Sequence, residues 1–133
     1  MIINAKSLIS KNQIEMPNIS LDRRAKYKIA VRRFFCVLDD HRDDLPTHDL
    51  LILSSNLVDR SAENPDQAIV HLDFSRKSKY ISYCPTHLTF QSLRLYELEG
   101  TSFALSLLDG TPLSFKRFFI QIEILRDETY GWF

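Results

Sequence analysis

The sequence predicts an all-β protein: a single antiparallel β-sandwich with jelly-roll-like connectivity and about eight strands. In the stretch 103–125, two apolar-alternating runs are joined by Asp109-Gly110 and Pro112, which indicates a strand, a tight polar link and a second strand. Strand-like runs also recur at short intervals without helical spacers, as in sandwiches and jelly rolls. Finally, the nine Phe and five Tyr residues favour strands.

Nine runs have the pattern of strands, and polar segments separate them. The runs cover residues 2–9, 13–20, 26–38, 50–58, 67–74, 79–84, 90–98, 102–108 and 117–126. The polar segments 39–49 and 61–66 each contain one proline and are predicted loops. Glu99-Gly100 and Asp109-Gly110 are predicted turns.

The third run has an apolar pattern that changes face at the polar pair Arg32-Arg33. The residues on one face are Tyr27, Ile29 and Val31, and those on the other are Phe34, Cys36 and Leu38. This switch predicts a β-bulge or a strand that passes between two environments. The apolar spacing over 21–33 leaves a helix as the alternative for the first part of this run.

The last run has one wholly apolar face and one mixed face. The apolar face consists of Phe118, Ile120, Ile122 and Ile124, and the mixed face includes Phe119, Gln121, Glu123 and Leu125. Such a strand belongs to a sandwich, with its inner face on the core and its outer face partly in water.

Length and composition fit one domain. With 133 residues, 44% of them apolar, the chain can bury a sizeable core. We predict a sandwich over residues 1–126 and an aromatic C-terminal tail over residues 127–133. Residues 1–11 lack the pattern of a secretory signal, and no run approaches the roughly 18 apolar residues of a membrane helix. A soluble protein made inside a cell is therefore expected.

Charge and cysteine content narrow the class further. The 17 basic and 17 acidic residues balance, so bulk charge gives no reason to expect nucleic-acid binding, and only a local basic patch would support it. The run Arg76–Lys79 is the best candidate for a phosphate-binding edge, and a charged hairpin tip is its alternative. Cys36 and Cys84 are expected to be reduced, buried thiols, with a disulfide as the alternative.

The loop 39–49 is the densest cluster of potential metal ligands. It contains five Asp residues together with His41 and His48. Its spacing matches no calcium loop, because the central glycine is missing. We expect a solvated acidic loop, partly neutralised by Arg42, and hence no metal and no cofactor. His71 is expected on the exposed face of a strand and His87 in a turn.

Motifs for catalysis are absent from the sequence. There is no Gly-x-Ser-x-Gly elbow, no phosphate-binding loop and no glycine-rich dinucleotide turn. The prediction is therefore a protein that is not an enzyme. A metal-dependent hydrolase centred on the loop 39–49 is the third candidate function.

The C-terminal tail is rich in aromatic residues. Tyr130, Trp132 and Phe133 lie within four residues, and such side chains are typical interface anchors. We predict that these three residues contact a partner, together with His41, Arg42 and His48 of the loop 39–49. Folding of the tail back onto its own domain is the alternative.

Three stretches resemble a known family. They are ISLDRRAKYKIAVRRFF (19–35), LILSSNLVDRS (51–61), and the pair YCPTHLTFQSLRLYELEG (83–100) and LLDGTPLSFKRFFIQIEIL (107–125). Their strand patterns and the Asp-Gly-x-Pro turn resemble the small β-sandwich minor capsid, or penton-type, proteins of virophages and of Polinton-like and adintovirus-like elements.

The resemblance implies a virion structural protein. Such a protein would be a single jelly roll that associates with itself, commonly around a five-fold axis as a pentamer, and with other capsid proteins. It would need no cofactor, small-molecule substrate or membrane. The alternative function is a β-sandwich binding module for a peptide, glycan or receptor, with Tyr80, Tyr83 and Tyr96 as outward aromatic residues.

Overall fold

The computed structural model describes residues 1–8, 11–39 and 45–127, with the backbone alone at 7–8 and 11–13. Within these ranges the chain forms ten strands in two antiparallel sheets, and Leu98–Gly100 forms a 3₁₀ turn. The predicted all-β sandwich is therefore confirmed. The number of strands is ten rather than about eight, because two short strands of two residues each add to the long ones.

The large sheet contains six strands: β1 (Ile2–Leu8), β2 (Lys11–Glu15), β3 (Tyr27–Leu38), β6 (Tyr80–Tyr83), β7 (Gln91–Ser92) and β10 (Phe115–Arg126). Their spatial order is β2-β1-β10-β3-β6, and β7 pairs with the beginning of β3. The small sheet has the order β5-β4-β8-β9. Its strands are β4 (His48–Ser55), β5 (Ala68–Ser75), β8 (Phe103–Leu107) and β9 (Pro112–Leu113).

The chain crosses repeatedly between the two layers. After β3 it enters the small sheet for β4 and β5, returns for β6 and β7, crosses again for β8 and β9, and finishes in β10. The first strand lies beside the last one. This alternation, with neighbouring first and last strands, is jelly-roll-like.

Strand β3 contains the predicted change of face. Gln121 of β10 lies opposite Arg33, and Ile122 lies opposite Val31, so Arg32 is the extra residue of a β-bulge. Because of this bulge, the apolar residues on both sides of the arginine pair face the core. The alternative helix over 21–33 is wrong, since the backbone is extended from Tyr27 onward.

Strand β10 confirms the predicted division into an apolar and a mixed face. Phe118, Ile120, Ile122 and Ile124 are buried, whereas the side chains between them are partly or fully exposed. The Phe118 ring lies 5.3 Å from Phe34 in its own sheet and 5.2 Å from Phe103 in the other. This ring therefore packs the two sheets together at the centre of the core.

The link within 103–125 differs from the prediction. The three-residue turn Leu108-Asp109-Gly110 returns β8 into the two-residue β9, and Gly110 has a φ of +92° that favours glycine. Hydrogen bonds from the hydroxyl and the N–H of Thr111 lower the pKa of the Asp109 carboxyl. The long strand that follows lies in the opposite sheet. Alternation along a strand indicates its buried face but does not identify its partner.

Two predicted strands are shorter than expected. Of the run 90–98, only β7 pairs as a strand. Its ladder with β3 ends where the Leu93 N–H donates to the Tyr27 carbonyl (2.9 Å), because the next N–H donates to the Leu57 carbonyl beyond the end of β4 (2.7 Å). The run 13–20 ends at Glu15 in β2, after which Met16 enters the core.

Candidate functional site

Most of the predicted partner-binding residues lie outside the described residues. These are His41 and Arg42 of the loop 39–49 and the tail residues Tyr130, Trp132 and Phe133. His48 is described, and it is the exposed first residue of β4, opposite Ser75, rather than a loop residue. The predicted interface through the loop and the tail stays a prediction.

The candidate metal ligands that are described lie at strand ends. Asp39 is exposed just after β3, and Asp49 in β4 accepts a hydrogen bond from the Leu50 N–H (2.7 Å). Across the ranges 1–8, 11–39 and 45–127, no group of three or more His, Cys, Asp or Glu side chains is placed to hold a metal ion. His71 and His87 are both exposed, as expected.

The three tyrosines predicted to form an outward surface do not form one. Tyr80 is 67% exposed on the outer face of β6, whereas Tyr83 of the same strand packs against the core. Tyr96 packs edge-on against Tyr27, with ring centroids 6.4 Å apart, and its hydroxyl donates to the Ala25 carbonyl (3.1 Å). Side chains three residues apart on a strand face opposite ways, which separates Tyr80 from Tyr83.

The two cysteines are unpaired and differ in environment. Cys36 is fully buried in β3, and burial raises the pKa of its thiol to about 12. Cys84 is exposed after β6, so the prediction of two buried thiols is wrong for this residue. The absence of a disulfide agrees with the prediction.

Strand β5 has an open edge. The Arg76 N–H donates to the Thr47 carbonyl (3.0 Å), which makes this a hydrogen-bonded pair. Because such pairs alternate along an antiparallel ladder, the backbone groups of His71, Asp73 and Ser75 point away from β4. Among the described residues, β4 is the only strand that pairs with β5.

The beginning of β5 is closed by side chains. The Asn64 amide accepts from the Ala68 N–H (2.9 Å) and donates to the Ala68 carbonyl (3.0 Å), and Gln91 of β7 also donates to that carbonyl (3.3 Å). The open part is therefore limited to residues 71–75, which we call the β5 edge. The contact with Gln91 places this edge on the β6 and β7 side of the sandwich.

Strand β1 has a second open edge. Met1 and Ile124 exchange both backbone hydrogen bonds (3.0 and 2.8 Å), so the backbone groups of Ile2 and Asn4 point away from β10. In the described part of the chain, pairing with β2 begins at Lys6. We call residues 2–4 the β1 edge. It lies at the end of the large sheet opposite β6.

The outer face of the large sheet carries aromatic and basic side chains. Phe119 of β10 lies opposite Phe35 of β3, and Phe35 stacks on Tyr80 of β6 with ring centroids 6.5 Å apart. Both phenylalanines are half-buried. Three exposed cations of the same face surround these rings: Lys6 opposite Phe119, Arg33 opposite Gln121, and Arg117 opposite Val37. We call these six residues the aromatic-basic face.

Sequence reasoning missed this face, although part of the signal was present. Phe119 was recognised on the mixed face of the last strand, and Phe35 follows the change of face in β3. Their juxtaposition depends on a register between strands more than 80 residues apart, which the bulge at Arg32 sets.

In the basic hairpin tip, residues 76–79, the first residue Arg76 has a mainly structural role. The Arg76 guanidinium donates to the Leu45 carbonyl (3.1 Å) and so ties the turn after β5 to the segment before β4. Lys77 and Lys79 are exposed beside Tyr80. The tip therefore has two lysines, not the whole run 76–79, directed to solvent.

Comparison with known proteins gives no relative. No family model, no curated protein and no solved structure matches the chain. In the described ranges, none of the helical segments has the length and apolar character needed to cross a membrane.

Proposed function

We propose that the chain is a non-enzymatic structural subunit of a virion, a minor capsid or penton-type β-sandwich that works by contact with copies of itself and with other capsid proteins. The observation that supports this proposal most directly is the pair of open edges. The β1 edge and the β5 edge lie on opposite sides of the sandwich and belong to different sheets.

Two unlike edges favour head-to-tail association. Unpaired N–H and C=O groups are a template for another strand, and when two different surfaces of one molecule meet, the contact generates a ring if the rotation closes. The β1 edge presents Ile2 and Asn4, and the β5 edge presents the polar side chains of His71, Asp73 and Ser75. A ring of copies would pair one edge with the other around its circumference.

Charge and sequence resemblance add support. A net charge of zero removes the long-range repulsion that would oppose association. The strand patterns of residues 19–125 resemble those of penton-type capsid proteins, and this resemblance implies association around a five-fold axis. Assembly through edges needs no cofactor and no substrate.

The test is the molar mass of the purified full chain, measured by size-exclusion chromatography with light scattering over a range of concentrations. We expect a discrete oligomer. The variant Asp73→Pro removes an edge N–H and should shift the population toward monomer. The matched control Asp73→Ala keeps that N–H and should assemble.

Two results would contradict the proposal. One is a monomer at all concentrations that also fails to join other capsid subunits. The other is an oligomer that is equally populated in Asp73→Pro and in Ile2→Pro, because assembly would then use neither edge. Electron microscopy of the same sample would show whether the oligomer is a ring and how many subunits it has.

A further inference from the structure

We propose that the aromatic-basic face binds single-stranded nucleic acid, with Phe35, Phe119 and Tyr80 as stacking platforms for bases and with Lys6, Arg33 and Arg117 as contacts to phosphates. This inference goes beyond the proposed assembly, and the six residues of the aromatic-basic face lie outside the two edges. It identifies a local basic patch in a chain whose total charge is balanced.

The rings are arranged as a path across three neighbouring strands. Phe119, Phe35 and Tyr80 lie on β10, β3 and β6, whose backbones are spaced about 5 Å apart. Every base has a flat apolar face, so rings presented in this way bind single strands without requiring a particular sequence. The exposure of Tyr80 and the partial exposure of both phenylalanines leave ring surface available.

The charges on this face are unevenly distributed. Arg32 donates to Glu123 (3.3 Å), and this pair is neutral. Lys6, Arg33 and Arg117 form no ion pair within 4.0 Å with any described acidic residue. Glu15 lies opposite Lys6 in the β1–β2 register. Its negative charge reduces the net charge of these three cations from three to about two. The remaining cations surround the rings where a backbone of phosphates would pass.

A groove adjoins the path at Phe119. It has a volume of about 660 Å³ and lies between β1 and β10 on one side and residues 15–18 on the other. Its wall includes Lys6, Phe119, and the amides of Asn4 and Gln121, which hydrogen-bond to each other (3.1 Å). An aromatic ring with amide donors and acceptors beside it is the type of site that stacks a base and hydrogen-bonds to its edge.

Charge also decides between possible occupants. A two-fold contact between the same faces of two copies would bring Arg33 and Arg117 toward the same cations of the partner, which is unfavourable. A nucleic-acid duplex has its bases paired and stacked, so its phosphates could meet the cations but its bases could not reach the rings. The combination of flat rings and unpaired cations therefore fits an unpaired strand.

The experiment is fluorescence anisotropy of labelled 15-nucleotide dT and rU strands, titrated with the full chain at several salt concentrations. A mixed-sequence duplex of the same length is the third probe. We expect both single strands to bind more tightly than the duplex. With three phosphate contacts, the slope of log K against log salt should be about −2. Unequal affinity for dT and rU would identify which of the two nucleic acids is preferred.

Variants locate the binding. Tyr80→Ala and Phe35→Leu should each weaken binding about fivefold or more, since a ring that stacks a base contributes at least that much. Arg33→Glu should weaken binding. It should also make the slope of log K against log salt shallower by more than the contribution of one phosphate contact. The matched controls are Arg60→Glu, a charge reversal in the loop after β4, and Leu108→Ala, the loss of an exposed apolar side chain at a turn. Both should bind as the parent does.

Three outcomes would overturn the proposal. The first is the absence of binding to any single strand at 50 mM salt. The second is binding that the variants of the face do not change, or that Arg60→Glu changes equally. The third is a change of molar mass in Tyr80→Ala or Arg33→Glu without a change in binding, which would make this face a contact between subunits. Circular dichroism of each variant confirms that it is folded.

Discussion

Two neighbouring proline substitutions in β5 should have very different effects on stability. Leu72 lies opposite Leu51 in a hydrogen-bonded pair, whereas the N–H of Asp73 points out of the sheet. Proline lacks an N–H, so it is tolerated in an edge strand only where that group faces outward. Leu72→Pro should therefore destabilise the fold strongly, and Asp73→Pro should not.

The magnitude follows from the groups that lose partners. In Leu72→Pro the buried Leu51 carbonyl is left without its donor, which costs about 1–3 kcal/mol. Loss of the partly buried leucine side chain adds about 1–2 kcal/mol. The sum, about 2–5 kcal/mol, is a large part of the stability of an ordinary domain. Asp73→Pro loses no ladder hydrogen bond, and we expect a change below about 1 kcal/mol.

The assay is urea unfolding followed by far-ultraviolet circular dichroism at a protein concentration low enough to avoid association. Asp73→Ala is the control for loss of the carboxylate. Equal destabilisation by the two proline variants would show that the alternation of hydrogen-bonded pairs along β5 is wrong. A larger effect of Asp73→Pro would show that the strand is shifted by one residue.

Further predictions concern the core and the thiols. Ile122→Asp places a charge without a partner in the centre of the large sheet and should unfold the domain, at a cost of several kcal/mol. The control Glu123→Asp, on the outer face, should fold normally. Cooperative unfolding of a soluble Ile122→Asp protein would contradict the face assignment. A thiol reagent should label Cys84 alone in the native chain and both cysteines in denaturant, and rapid native labelling of Cys84→Ser would contradict the burial of Cys36. Since the folded pKa of Cys36 is raised to about 12, its contribution to stability is complete below the ordinary thiol pKa near 8.5 and should fall by about 1.4 kcal/mol per unit as pH rises from there toward 12. Cys36→Ala should lack that part of the alkaline loss in urea titrations at pH 8 to 11.

The sequence predicted the parts of the fold that depend on local alternation. The apolar face of β10 and the bulge at Arg32 in β3 are visible as patterns within single strands. The partner of each strand was not visible, because pairing depends on contacts between distant segments. For this reason the pattern predicted two strands joined by a tight link but did not show that β8 and β10 lie in opposite sheets.

The candidate surfaces show the same limit. The alternation of backbone groups at His71 and Asp73 follows from the register of β5 with β4, and the pairing of Phe35 with Phe119 follows from that of β3 with β10. Neither register can be derived from composition or spacing. Conversely, Tyr83 was expected to be an outward aromatic residue, but it lies on the inner side of β6 and packs against the core.

Hydrogen exchange at two protein concentrations tests the central claim most directly. The amides of Ile2, Asn4, His71, Asp73 and Ser75 point away from their own sheets, so in dilute monomer they should exchange rapidly compared with Leu72 and Ile3. At concentrations where the chain associates, we expect these edge amides to become protected while exchange at exposed turns such as Asp109-Gly110 stays unchanged. Association without added protection at either edge would contradict a subunit that assembles by strand pairing.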